Sequence, residues 1–188
     1  MKRLAIFGSK SGSNAENICK YFAASKRIKV VCICTNNRGA FIVTRAKKLN
    51  IPVVFTSKND LFDFKLLHKN LKKYSVDYIV LAGFLLKIPS KMIACYPNKI
   101  INIHPSLLPK YGGKGMYGIN VHRSVLENKE SESGITIHFV NKNYDEGEII
   151  LQKKCSISSL ETAESLEQKI HALESLYFAK TIKKILLQ

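Results

Sequence analysis

The chain has 188 residues, 46% hydrophobic and 23% charged, an ordinary globular composition with enough apolar material for one sizeable core, so a single domain spanning 1–188 is expected. Lys plus Arg number 30 against 14 Asp plus Glu, a formal net charge of +16, which invites a phosphorylated or polyanionic partner. No apolar run approaches the roughly 18–20 residues of a membrane span, and Leu4 to Phe7 is too short for a signal peptide, which argues against membrane and secreted classes and for a cytoplasmic protein.

Lys2 to Phe7 reads as a first strand, followed by the small-residue turn Gly8-Ser9-Lys10-Ser11-Gly12-Ser13-Asn14 and a helix over Ala15 to Ala24. Lys29 to Thr35 is a second strand, with a helix ending near Leu49, and Val53 to Phe55 is a third. A Lys-rich helix is predicted from Asp60 to Tyr74, then strands at Tyr78 to Ala82 and Ile100 to Ile103. Short apolar runs alternating with helices are the pattern of crossover units, in which a parallel sheet is covered on both faces. Thr136 to Val140 and Ile149 to Cys155 flank the polar loop Asn141 to Glu148, which reverses the chain and adds antiparallel strands near one edge. Leu166, Ile170, Leu173 and Tyr177 mark the buried stripe of a long C-terminal helix. The predicted fold is α/β, a doubly wound, mostly parallel Rossmann-like sheet.

The basic residues are mostly lysines on predicted helix surfaces (Lys47, Lys48, Lys69, Lys72, Lys73, Lys183, Lys184), without a dense Arg patch or interleaved aromatics. A solvated surface therefore explains the charge better than a nucleic-acid face. Five cysteines without CxxC or zinc-ligand spacing fit a reduced compartment, with Cys32 and Cys34 sharing one face of a strand as small apolar residues.

Open parallel sheets bind ligands beyond the carboxyl ends of their strands. That edge collects Gly8 to Asn14, the turn at Gly83, and Asn102-Ile103-His104-Pro105. The first turn offers backbone N–H groups at a helix N-terminus, a phosphate cradle on one reading and a turn capped by Ser13 or Asn14 on the other. It lacks Walker A and GxGxxG spacing. Asn102 and His104, one residue apart in extended chain, project from the same face. An amide that donates to a carbonyl oxygen beside an imidazole that moves protons suits acyl transfer. A carboxylate from another loop is the usual partner for such an imidazole. Asp145 is the candidate, although spacing alone leaves Glu146 and Glu148 open. His68, His122 and His171 fall in predicted helices and His138 in a strand, positions read as structural.

The segment Asn102-Ile103-His104-Pro105-Ser106-Leu107-Leu108-Pro109 resembles the phosphoribosylglycinamide formyltransferases, folate-dependent enzymes of purine synthesis. The likeness extends through Gly8 to Asn14, Val80 to Phe84, His122, Gly134 to Val140, Asp145 and Ile150 to Gln152. It implies formyl transfer from 10-formyltetrahydrofolate to the amine of glycinamide ribonucleotide, with Asn102, His104 and Asp145 as the catalytic trio and no metal. Asp145 is expected to favour a protonated His104. Gly12, Ser13 and Asn14 match the substrate-phosphate loop, and Glu174 an acidic residue near the amine. Leu85, Leu86, Lys87, Ile88, Asn141 and Tyr144, with Asn102, correspond to the folate pocket. The segment Tyr111 to Gly118 is longer and richer in glycine than the family's common Tyr-Pro-Gly form. Relatives acting on initiator methionyl-tRNA or hydrolysing formyltetrahydrofolate carry a further domain, for which 188 residues leave no room on this reading; a noncatalytic phosphate- or RNA-binding module is the alternative from another class. The expected partner is the small-molecule substrate, with the chain a monomer or homodimer and neither nucleic acid nor membrane engaged.

Overall fold

A computed structural model describes residues 1–188. Seven strands form one sheet in the order β3-β2-β1-β4-β5-β6-β7. β1 (Lys2–Phe7), β2 (Ile28–Thr35), β3 (Val53–Phe55), β4 (Tyr78–Leu81) and β5 (Ile100–His104) run parallel. β6 (Glu132–Phe139) and β7 (Ile149–Ser156) complete the sheet antiparallel, as expected.

Side chains alternate across the strands and create two cores. Leu4 and Ile6 of β1 enter a cluster of 27 buried residues, while Ala5 and Phe7 enter a second of 17. The larger core is covered by α1 (Ser13–Phe22), α2 (Phe41–Lys48), α6 (Ile119–Glu127) and α7 (Ala163–Leu187). The smaller core lies under α3 (Lys58–Asp63), α4 (Lys65–Lys73) and α5 (Ser90–Cys95). A fully buried Leu, Ile or Phe contributes about 1.5–3 kcal/mol relative to exposure, so this double burial fixes the strand register. Cys32 and Cys34 share the smaller core as free thiols, and burial pushes Cys34 well above the usual range, consistent with a packing role.

Three elements depart from expectation. The single helix predicted from Asp60 to Tyr74 is two. α3 begins early because Ser57 and Asp60 form a capping box, and it stops at Phe64, which takes a left-handed φ of 65° with its side chain buried. Helix α5 lies in a stretch not assigned as an element, whereas α6 supplies the helix expected around His122. The buried stripe of α7 is Leu166, Ile170, Glu174, Phe178, Ile182 and Leu186, an unbroken i, i+4 row, whereas Leu173 and Tyr177 only flank it. The row therefore carries one carboxylate, and that carboxylate belongs to the site.

All the lysines except Lys153 are exposed, and α2, α4 and α7 each place basic residues in the last turn, where the helix dipole favours positive charge.

Candidate active site

At the carboxyl ends of the parallel strands lies a cavity of about 690 Å³, within the range of small-molecule sites. Its walls come from the β1–α1 turn, the β4–α5 turn, the end of β5, the Gly113–Gly118 loop, the β6–β7 loop and one face of α7.

One end is the start of α1. The N-cap is Gly12, not Ser13 or Asn14, and no side chain caps the helix. Gly12 has φ 75°, and a Cβ there would fall 2.5 Å from Ile42 Cγ1, so only glycine allows the turn to lie against α2. The first N–H groups of a helix have no carbonyl partner four residues back; here they open onto the cavity with Ser13 and Asn14 in its lining. The Asn14 side chain instead donates to Glu174 Oε2 at 2.8 Å. Burial raises the Glu174 carboxyl above its ordinary range, although Asn14 and His171 pull the other way.

Asn102, His104 and Asp145 occupy the other end. β5 presents Asn102 and His104 on one face while Ile101 and Ile103 enter the larger core. Asp145 arrives from the β6–β7 loop with a left-handed φ of 55°. Its Oδ2 lies 3.6 Å from His104 Nδ1 and accepts from Gly113 N–H at 2.9 Å; its Oδ1 accepts a long 3.4 Å bond from Asn102 Nδ2. Glu146 instead accepts from the Asn143 side chain, so of these two carboxylates it is Asp145 that meets His104. Burial would raise the Asp145 carboxyl, but His138, His104 and the Gly113 N–H outweigh it and hold it below its ordinary value.

The ring nitrogens of His104 have distinct surroundings. Nε2 lies 2.7 Å from the Tyr111 carbonyl, which can only accept, so Nε2 carries the hydrogen and Nδ1, facing Asp145, is the nitrogen that gains or loses a proton. Burial lowers the His104 pKa, and Asp145 and the Tyr111 carbonyl only partly restore it. Desolvation of the ring outweighs the charge 3.6 Å away.

His138, read from sequence as a strand residue, also belongs here. It pairs with Asn102 across β5 and β6, its Nδ1 donates to the Phe139 carbonyl at 2.8 Å, and its Nε2 lies 3.0 Å from Asn102 Nδ2 and 3.7 Å from Asp145 Oδ1. It thereby orients the amide. The signal was register, which puts His138 opposite Asn102 only once the antiparallel pairing is known. His122 is similar: it is 1% exposed, lines the cavity from α6, and its Nδ1 has no hydrogen-bond partner. Burial, with His171 and His104 nearby, lowers its pKa to about 4, so it is neutral at physiological pH.

Of the residues expected around folate, Asn102, Leu85 and Tyr144 line the cavity, and Leu86, Lys87, Ile88 and Asn141 do not. Ile88 is buried in the smaller core with Leu86 packed against it. The Asn141 amide folds back onto the Glu146 carbonyl, and the Lys87 ammonium sits 5.3 Å from the centroid of the Tyr144 ring.

The chain is similar to known proteins along nearly its whole length. A family model described as formyl transferase matches residues 2–182. The chloroplastic phosphoribosylglycinamide formyltransferase of Arabidopsis thaliana is 39% identical over 183 residues, covering 94% of this chain; the chain spans 63% of that relative's length. The phosphoribosylglycinamide formyltransferase of Haemophilus influenzae is 34% identical over 188 residues, covering 97% of this chain and 86% of the relative. The crystal structure of phosphoribosylglycinamide formyltransferase from Anaplasma phagocytophilum superposes with a TM-score of 0.90 at 32% identity, covering 99% of this chain and 87% of that one. With an Asn102–His104–Asp145 cluster at one end of its cavity, an uncapped helix start at the other, and a match along nearly its whole length, the chain belongs to the formyl transferase family.

Proposed function

We propose that this chain transfers the formyl group of 10-formyltetrahydrofolate to the amine of glycinamide ribonucleotide. The observation that carries the reading is the convergence of Asn102, His104 and Asp145 on the cavity that the α1 N-terminus also enters. The phosphate binds the N–H groups of Gly12, Ser13 and Asn14. The amine lies between Glu174 and the Asn102–His104–Asp145 cluster, and the pterin sits between Leu85, Tyr144 and Asn102.

The neutral amine attacks the formyl carbon, and negative charge develops on the formyl oxygen. Asn102 can meet that oxygen at small cost, because the bond it gives up is its long one to Asp145 while His138 keeps the amide in place. Burial disfavours the charged form of the resting His104 ring. As the oxyanion forms and the attacking amine becomes acidic, negative charge nearby raises the proton affinity of Nδ1, and Asp145 stabilises the resulting imidazolium. The proton lost by the amine then reaches the folate nitrogen as the carbon–nitrogen bond to the carrier breaks. No step requires a metal.

The test is a formyl-transfer assay with 10-formyltetrahydrofolate and glycinamide ribonucleotide beside a no-amine control. Amine-dependent formation of formylglycinamide ribonucleotide is expected. Turnover without amine would replace the reading with hydrolysis, and binding of RNA in place of the ribonucleotide, weakening steeply with salt, would replace it with a nucleic-acid module.

A further inference from the structure

The α1 N-terminus supplies neutral donors, yet the sequence puts a cation inside the same turn. Lys10 stands two residues before Gly12 and lines the cavity with Gly12, Ser13 and Asn14. Its backbone is fixed, because its carbonyl accepts from Ile42 N–H at 3.2 Å, while the side chain is exposed and has no carboxylate within salt-bridge distance. In this structure its ammonium sits over the Tyr117 ring, 5.0 Å from the centroid, and a Cβ on Gly118 would be 3.8 Å from Nζ. Lys10 thus ties the first turn to the glycine-rich segment that closes the opposite wall.

Other cations near the turn are placed differently. Arg45 donates from Nε to the Ser11 carbonyl at 3.0 Å and pairs with Glu16, so its charge is already matched. Lys114 lines the cavity from the glycine-rich segment, between Gly113 and Gly115, which have φ of 97° and 90°. Only Lys10 is anchored by its backbone beside the helix start and free at its head.

Resting on the proposed function above, we infer that Lys10 is a specificity residue for the substrate's phosphate, exchanging the Tyr117 ring for the phosphate oxygens so that phosphate binding releases the loop around Tyr117 and Gly118. A phosphate monoester carries about −1.5 to −2 charges at neutral pH, and a charge-assisted bond to it exceeds a cation–π contact at an exposed ring, here 44% exposed. The exchange therefore runs toward the phosphate when it is present and back to Tyr117 when it leaves.

The test is calorimetric titration with ribose 5-phosphate, with ribose as the phosphate-free control, of the wild type, Lys10→Met, Lys10→Arg and Lys114→Met. Lys10→Met is expected to weaken ribose 5-phosphate binding about 10-fold, Lys10→Arg to restore most of it, and Lys114→Met to change it less than about 2-fold. In the transfer assay Lys10→Met raises KM for glycinamide ribonucleotide by a similar factor with kcat nearly unchanged, the pattern of lost ground-state binding. Ribose 5-phosphate also speeds tryptic cleavage after Lys114 in the wild type, whereas Tyr117→Leu is cleaved at one rate with or without it. Unchanged affinity in Lys10→Met, or an equal loss in Lys114→Met, overturns the assignment; cleavage indifferent to ribose 5-phosphate overturns the link to the loop. A wild type that binds ribose 5-phosphate through Lys10 but transfers no formyl group overturns the proposed function and leaves the phosphate contact standing.

Discussion

β1 and β5 are interior strands of one sheet with opposite chemistry. From Leu4 to Phe7, β1 is fully buried and apolar on both faces. β5 puts Ile101 and Ile103 into the larger core but offers Asn102 and His104 on the other face. The neighbours explain the difference. β1 has parallel partners on both sides, β2 and β4, and helices cover both of its faces, leaving no partner for a polar group. β5 stands where the sheet changes from parallel to antiparallel, and the loops and register there deliver hydrogen-bond partners: His138 from β6, Asp145 from the β6–β7 loop and the Tyr111 carbonyl. Polar burial is tolerated where topology supplies a second polar group.

The widest separation between the two strands should come from His104→Ala. We expect kcat to fall by about 10³, roughly 4 kcal/mol of barrier, with the melting temperature little changed; near-wild-type turnover in a folded variant would remove His104 from the chemistry. Ile6→Ala should do the reverse, costing about 3 kcal/mol of unfolding free energy through cavity formation while kcat of the folded fraction stays close to wild type, as denaturant titration beside kinetics would reveal. Asp145→Asn is expected to lower kcat by about 10². Because the Asp145 charge raises the His104 pKa, its loss should also move the acidic limb of the kcat/KM profile to lower pH; a shift upward would mean the limb belongs to another group.

Two smaller effects sharpen the contrast within the antiparallel half. Thr136 is fully buried, and its hydroxyl donates to the Ser106 carbonyl and accepts from Leu108 N–H and Gln152 Nε2, which fastens the segment after His104 to the sheet. Thr136→Val keeps the shape but strands these groups, at about 1–3 kcal/mol, and calorimetry should find it costlier than any apolar swap of equal volume in β1. His122 supplies the pH test. Its folded-state pKa lies near 4 against an ordinary 6.5, so below about 6.5 the unfolded chain binds a proton the folded chain refuses, and stability declines as pH drops toward 4. His122→Leu should flatten that part of the decline relative to wild type; an unchanged slope would assign the window to other groups.

Much of the architecture was legible because it depends on local patterning. Leu4 to Phe7 and Val30 to Cys34 are apolar on successive residues, which suits strands covered on both faces, and the intervening segments are long enough for crossovers. The exceptions were also local. Phe64 breaks a helix that its composition favours because its side chain is drawn into the smaller core, and tertiary burial overrides propensity there.

For the site, the sequence alone determined the alternation that puts Asn102 beside His104, the glycine turn before α1, and the position of that turn at the ligand-binding edge, because strand period and crossover order are properties of neighbouring residues. Tertiary structure alone decided that Asp145 and not Glu146 meets His104, that His138 steadies Asn102, that Glu174 sits within the buried row of α7, and that burial lowers the His104 pKa. Those outcomes depend on which groups remote along the chain become neighbours and on how much water they lose in doing so, and distance and desolvation exist only once the chain has folded.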